Sequence, residues 1–287
     1  MPFFKSPEAE ASYRAAYQAT LRLWPACTES LDLATAFGST HVLACGPAAA
    51  PPIIFLHAMS FSATMWYPTV SALSNEFRCY AVDFQSDMGL SIPTNPPATR
   101  ADCVAWLREV LDQLSISKTS IVGLSYGGFL ALNYALAEPT RVAKLVLASP
   151  AAGFIALPKS LYVRMLLFFL LPGRSGVDRI LDFVFADRFP LDHPVIQQFG
   201  AGTKTLNPQV HRVFPKAFTD SELAGLTIPV YLLLGEKEVC YNPASAAKRA
   251  RRLLPNASVE IFPNLGHMLV LECPDIVNPR ISRFLHP

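Results

Sequence analysis

Ile121-Val122-Gly123-Leu124-Ser125-Tyr126-Gly127-Gly128 places a serine between glycines two residues away on either side, directly after a β-branched run. A surface loop has no use for that symmetry. Between a strand and a helix, Gly-x-Ser-x-Gly is the nucleophile elbow, in which the serine takes a strained backbone conformation and the glycines remove the Cβ atoms that would clash. The motif carries that meaning only if a strand precedes Ser125 and a helix follows it.

The surrounding pattern supplies both. Ser120 to Leu124 reads as a short buried strand and Tyr126 to Ala137 as a helix, within a longer alternation. Upstream lie strand Ile53 to Leu56, helix Ser62 to Asn75, strand Cys79 to Val82 and helix Arg100 to Leu114; strand Lys144 to Ala148 follows. Such alternation implies βαβ crossovers and a parallel sheet with helices on both faces. Ahead of it, Ser6-Pro7-Glu8 predicts a capped helix over about 7–24, and Leu31 to Phe37 with His41 to Cys45 predicts a hairpin turning at Gly38-Ser39. After Ala148 the alternation breaks. Residues 151–215 are rich in Phe, Leu and Pro and look helical in pieces, with no convincing strand. Strand Val230 to Leu234, helix Pro243 to Leu254, strand Ser258 to Phe262 and a last helix, Pro274 to Phe284, complete the chain. Eight strands are thus expected, with core segments 1–150 and 216–287 and a helical cap, 151–215, inserted after the sixth strand. Ligands bind at the carboxyl edge of such a sheet.

Composition narrows the partners. Of 287 residues, 51% are hydrophobic and 16% charged, which fits a globular chain and excludes a disordered one. A net charge of +2 gives no field that would call for nucleic acid or an anionic membrane. The apolar run Met165 to Leu171 is far short of the ~20 residues that span a bilayer, so no membrane insertion is expected. Six scattered cysteines without a C-x-x-C pair read as buried free thiols of a reducing compartment, and the N-terminus has no secretory h-region; a cytoplasmic location is expected.

A serine needs a base within reach and a third group to orient that base, arriving on this scaffold in the order acid, then histidine. His41 falls mid-strand, His57 precedes the serine, His193 and His211 lie in the cap and His286 at the terminus, leaving His267 just past the strand ending at Phe262. After strand Val230 to Leu234, Gly235-Glu236-Lys237-Glu238 offers two carboxylates. Glu238 is assigned because the turn through Gly235 returns it over the sheet edge, while Glu236 reads as a solvated turn residue; Asp220, Glu222 and Asp275 are less well placed. The oxyanion donors are assigned to the N–H groups of Tyr126 and, in the loop His57-Ala58-Met59-Ser60-Phe61, of Met59. Phe154, Leu161, Met165, Phe168, Phe169, Phe183, Phe185, Phe189 and Phe199 are candidates for an apolar pocket or for cap packing. Lys248 to Arg252 reads as a solvated helix face.

Together these residues resemble the α/β-hydrolase superfamily over nearly the whole chain. More narrowly, Phe37-Gly38-Ser39-Thr40-His41-Val42, Thr64-Met65-Trp66-Tyr67-Pro68, Tyr80-Ala81-Val82-Asp83, Ser91-Ile92-Pro93 and Leu234-Gly235-Glu236-Lys237-Glu238-Val239 look like bacterial carboxylesterases of the naproxen-esterase type. That resemblance implies a Ser125, Glu238, His267 triad, no metal or organic cofactor, and hydrolysis of small-molecule carboxylic esters, with bulky arylpropionate esters in scope. A serine at the elbow speaks against the aspartate-based dehalogenase and epoxide-hydrolase branches. Lactone or carbon-carbon bond hydrolysis, or a weakly catalytic ligand sensor, stay open. Two departures stand out: Ala58 where the family has glycine after the histidine, which would shift the oxyanion loop if that backbone needs a glycine conformation, and Met88-Gly89-Leu90-Ser91 in place of G-x-G-x-S.

Overall fold

Ser6 accepts the Ala9 N–H at 3.1 Å, Pro7 takes the first helical position, and Glu8 and Glu10 sit in the first turn of α1 (Pro7–Leu21). The helix stops at Leu21, short of Trp24, because the chain tightens to i→i−3 bonds at Leu23 and Trp24. A computed structural model describes residues 3–85, 87–170, 175–186, 189–206 and 213–286.

Strands β1 (Glu29–Thr35) and β2 (Gly38–Cys45) form the antiparallel hairpin. Its turn falls at Ala36-Phe37, two residues before the predicted Gly38-Ser39. Gly38 opens β2 with φ +128°, and a Cβ there would lie 2.2 Å from the Ile92 carbonyl oxygen. Next come β3 (Pro52–Leu56), a 3₁₀ turn over Ala63–Trp66, α2 (Tyr67–Leu73) and β4 (Arg78–Val82). The helix expected from Ser62 is split because Pro68 has no N–H to give the Thr64 carbonyl one turn back, and that carbonyl accepts the Trp24 indole N–H at 2.9 Å instead. A two-residue β5 (Ile92–Pro93), too short to leave a pattern, pairs with β2. Then α3 (Arg100–Gln113), β6 (Thr119–Leu124), α4 (Tyr126–Ala137) and β7 (Val142–Ala148) follow as predicted, to within two residues at their ends.

Between β7 and β8 (Val230–Gly235) the chain forms α5 (Lys159–Leu170), α6 (Gly176–Val184), α7 (Pro194–Thr205) and the short α8 (Asp220–Ala224). Among the described residues this insertion holds no strand, only an isolated bridge from Leu206 to Phe4. The chain ends with α9 (Pro243–Leu253), β9 (Ala257–Phe262), α10 (Leu269–Glu272) and α11 (Pro274–Leu285). Among the described residues no helix is long and apolar enough to cross a membrane.

Sheet order is β1-β2-β4-β3-β6-β7-β8-β9, parallel from β4 to β9. The central strands are apolar on both faces: one layer packs Trp106, Phe129 and Leu147 beneath α3 and α4, the other packs Tyr17, Trp66 and Val277 beneath α1, α2 and α11. From β3 the chain leaves toward β4, and from β6 it leaves the opposite way toward β7. Their neighbouring carboxyl ends therefore form the switch point at which a doubly wound sheet opens a crevice.

Candidate active site

Ser125 stands at that switch point, between the last residue of β6 and the first of α4, with φ +52° and ψ −113°. Few non-glycine residues tolerate such a conformation. It is held from both sides: the Ser125 N–H donates to Ala148 O at 3.0 Å, and its carbonyl accepts the Phe129 and Ala151 N–H groups. The glycines are required by specific backbone atoms. A Cβ on Gly123 would meet Gly127 O at 2.4 Å, and one on Gly127 would meet Leu56 O at 2.0 Å, so α4 presses its first turn directly on β3. Gly127→Ala is expected to cost about 3 kcal/mol, at the upper end of overpacking substitutions, because rigid backbone supplies the clash; urea unfolding of the two proteins measures it.

His267 reaches Ser125 from the far end of the chain. Its Nε2 lies 2.8 Å from Ser125 Oγ, and its Nδ1 lies 2.9 and 2.8 Å from the two carboxylate oxygens of Glu238. With the Nδ1 proton directed at Glu238, Nε2 presents its lone pair and the serine hydroxyl donates to it. The loop that delivers His267 is pinned on both sides. Glu272 accepts the Gly266 N–H at 2.8 Å and the Met268 N–H at 3.2 Å, and the His267 N–H donates to Val184 O at the end of α6. Gly235 must lack a side chain because the Gly266 carbonyl oxygen would lie 2.2 Å from its Cβ. Glu238 then turns back with its N–H on Gly235 O, as the turn chemistry predicts.

All three side chains are buried. Burial opposes ionisation of Glu238, yet the His267 ring and the Cys240 N–H at 2.8 Å together hold its carboxyl below the ordinary glutamate range. Burial likewise opposes protonation of His267; the Cys240 sulfur and the Glu238 carboxylate outweigh it and push the ring well above the ordinary imidazole value. Cys240, whose N–H meets Glu238, and Ser149, which is buried beside the elbow, carry no signal in the sequence. Ser149 holds a positive φ of 40° at the end of β7, and no local motif marks it. The side chains of Glu238, Cys240 and His267 are the one group of metal-type ligands among the described residues, with ligand atoms within 4.8 Å of one another. Both ring nitrogens of that histidine are already engaged, by Glu238 and Ser125.

Met59 and Tyr126 flank the serine at the cavity wall. Tyr126 is the first residue of α4, directly after Ser125. The loop after β3 is braced around Met59. The Ser60 N–H donates to Asp87 at 2.8 Å, while the buried His57 ring accepts the Phe84 N–H at Nε2 and meets Ala58 O at Nδ1. The left-handed residue of this loop is Ser60, with φ +63°, and Ala58 is not among the positive-φ residues. Position 58 therefore does not need a glycine conformation, and the condition under which alanine there would shift the loop is not met.

The remaining candidates lie elsewhere. Glu236 is exposed and accepts the Asn264 N–H at 3.0 Å. Asp220 pairs with Arg249 and Arg252, Glu222 with Arg100, and Asp275 is exposed in the first turn of α11. His41 pairs with Asp32, His193 caps α7, and His286 meets Glu76; His211 lies outside the described residues. The basic stretch of α9 is only partly a solvated face. Arg249 is half-buried and donates to Asp220 and to the Phe218 and Phe154 carbonyls, tying β7's exit and α8 to α9. Of the aromatic candidates, Phe183 and Phe199 reach the cavity, with Leu161 and Met165, whereas Phe154 and Phe185 are buried in the packing layers and Phe189 stacks on Phe185. The side chains of Phe168 and Phe169 lie outside the described residues.

The serine opens on a cavity of about 310 Å³ between the sheet edge and the insertion. Its wall includes Phe61, Leu157, Ile180, Phe214 and Cys240, and among the described residues no Asp, Glu, Lys or Arg side chain lines it.

A strained serine at the switch point of a doubly wound sheet, bonded to a histidine and a carboxylate from later loops, defines a serine hydrolase fold, and the alpha/beta hydrolase family model matches residues 53–280. The chain belongs to the α/β-hydrolase family. Within it, the chain is 40% identical to the uncharacterized carboxylesterase nap of Bacillus subtilis (strain 168), over 96% of this chain and 92% of that one. It is 38% identical to carboxylesterase YbfK of the same strain, over 98% and 96%. The crystal structure of naproxen esterase (carboxylesterase NP) from Bacillus subtilis superposes with a TM-score of 0.91 at 38% identity, covering 98% of this chain and all of that one.

Proposed function

We propose that the protein is a serine carboxylesterase that hydrolyses small-molecule carboxylic esters with apolar or arylpropionate-like acyl groups through an acyl-serine intermediate. The observation that carries this reading is the continuous hydrogen-bonded line from Glu238 through His267 to Ser125, ending on an apolar cavity. His267 takes the Ser125 proton as Oγ attacks the ester carbonyl, and the Tyr126 and Met59 N–H groups receive the developing oxyanion. Protonated His267 then gives its proton to the departing alcohol, and water, deprotonated by the same ring, releases the acid. Glu238 keeps the ring in the right tautomer and stabilises the imidazolium. These steps call for no metal or organic cofactor, and no nucleic acid partner enters them.

Residues 151–215 act as a cap over the site, carried on a core of 1–150 and 216–287. Cap residues Leu161, Met165, Phe183 and Phe199 form the acyl-side wall, which suits bulky or aryl-substituted acids of the kind named for the naproxen esterase relative. Six free cysteines fit a reducing compartment, and the cytoplasm is the proposed location.

A panel of p-nitrophenyl esters tests the reading. Neutral acyl groups should give a burst followed by turnover. A p-nitrophenyl ester whose acyl chain ends in a carboxylate should fall at least ~10²-fold below its neutral isostere in kcat/KM, since among the described residues the wall offers no Lys or Arg to pair with a buried charge. Equal turnover of both esters would remove the apolar substrate class. Absence of turnover with every ester would favour a ligand sensor.

A further inference from the structure

The six cysteines are free, but two of them are not isolated. The Sγ atoms of Cys27 and Cys45 lie 3.3 Å apart. Sheet register produces this contact: Glu29 pairs with Ala44 in the β1–β2 ladder, so the residues just before β1 run alongside the end of β2, where Cys45 is the last residue. Cys27 is exposed, and Cys45 is buried in the packing layer that also holds Trp24. Among the described residues no other pair of cysteine sulfurs makes such a contact. Cys79 sits opposite Cys45 in the β2–β4 ladder, but its sulfur is directed at the Phe77 carbonyl at 3.9 Å.

We propose that Cys27 and Cys45 form a reversible dithiol–disulfide couple, a modification site at which a low-molecular-weight disulfide such as glutathione disulfide links the segment after α1 to the central sheet. In the first step the exposed Cys27 thiolate attacks one sulfur of glutathione disulfide, forms a mixed disulfide and releases one glutathione. In the second, Cys45 loses its proton and attacks the Cys27 sulfur, expelling the other glutathione. The two protein thiols are oxidised, glutathione disulfide is reduced to two glutathione molecules, and the thiol protons end on them. Burial pushes the Cys45 thiol up, so only a small fraction of it is the attacking thiolate at neutral pH.

The link closes a ring around the whole β1–β2 hairpin and restrains the end of α1. That helix joins core to insertion, because the Tyr17 hydroxyl donates to Asp83 at 3.2 Å and Gln198 donates to the Tyr13 hydroxyl at 3.3 Å. Oxidation is therefore expected to raise the apparent melting midpoint by about 5 °C, the scale for closing a loop of this length in a chain of this size.

Treating the purified full-length protein with glutathione disulfide tests the couple. Expected are two fewer titratable thiols, an intact mass lower by two hydrogens, a cross-linked peptide pair containing Cys27 and Cys45, and the raised midpoint, all reversed by dithiothreitol. Cys27→Ser, at an exposed position, should fold normally and show none of these changes. Retention of six thiols, arrest at a glutathione adduct on Cys27, a Cys45–Cys79 link, or a linked protein with an unshifted midpoint would each overturn the proposal.

Discussion

Ser125→Ala is expected to lower ester turnover by about 10⁶-fold, the scale on which removing the nucleophile of a serine triad acts. The substitution deletes one oxygen and leaves the elbow intact, since the strain at φ +52° is held by the backbone bonds to Ala148, Ala151 and Phe129. The variant should therefore melt close to the wild type and still bind apolar esters, as measured by calorimetry alongside steady-state kinetics. Loss of activity accompanied by unfolding would not count in favour of the nucleophile. Retained turnover in a folded variant would assign the chemistry to another group.

Glu238→Gln should cost about 10⁴-fold in kcat, by analogy with loss of the orienting acid in other triads. The amide matches the carboxylate in size, but it removes the charge facing the imidazolium and can hold the ring in the wrong tautomer. A second readout separates this role from simple packing. The base must be neutral to accept the serine proton, so kcat/KM should rise with pH as His267 deprotonates, on the alkaline side of 6.5 because Cys240 and Glu238 raise that ring's pKa. Removing the carboxylate takes away part of what favours the imidazolium. The pKa then falls, and the rising limb of the residual activity moves to lower pH. An unmoved limb, or activity within a few-fold of wild type, would show that Glu238 does not face a titrating His267.

Much of this site was legible because its signals are local. The Gly-x-Ser-x-Gly spacing, the apolar runs bounding it and the order of carboxylate and histidine behind later strands all follow from short-range chemistry, and they point to Ser125, Glu238 and His267. Other parts were not legible for equally physical reasons. The Thr64 carbonyl that Pro68 leaves without its helical donor is met by the indole N–H of Trp24, distant in sequence. β5 is two residues long and has no period to detect. Cap aromatics such as Phe183 and Phe185 are alike in composition, and whether one faces the cavity or the core depends on how the helices are rotated against the sheet.

By itself the sequence determined the alternation of strand and helix, the place of the elbow and the identity of the residues able to do nucleophilic chemistry, because these depend on periodicity, backbone sterics and the donor and acceptor properties of single side chains. Only the tertiary structure decided that Glu272 and Val184 hold the His267 loop, that Asp87 and His57 brace the loop after β3 without a glycine at 58, that no Asp, Glu, Lys or Arg lines the cavity among the described residues and that Cys27 meets Cys45. Those are contacts between segments far apart in the chain, set by sheet register and helix packing, and no local pattern encodes them.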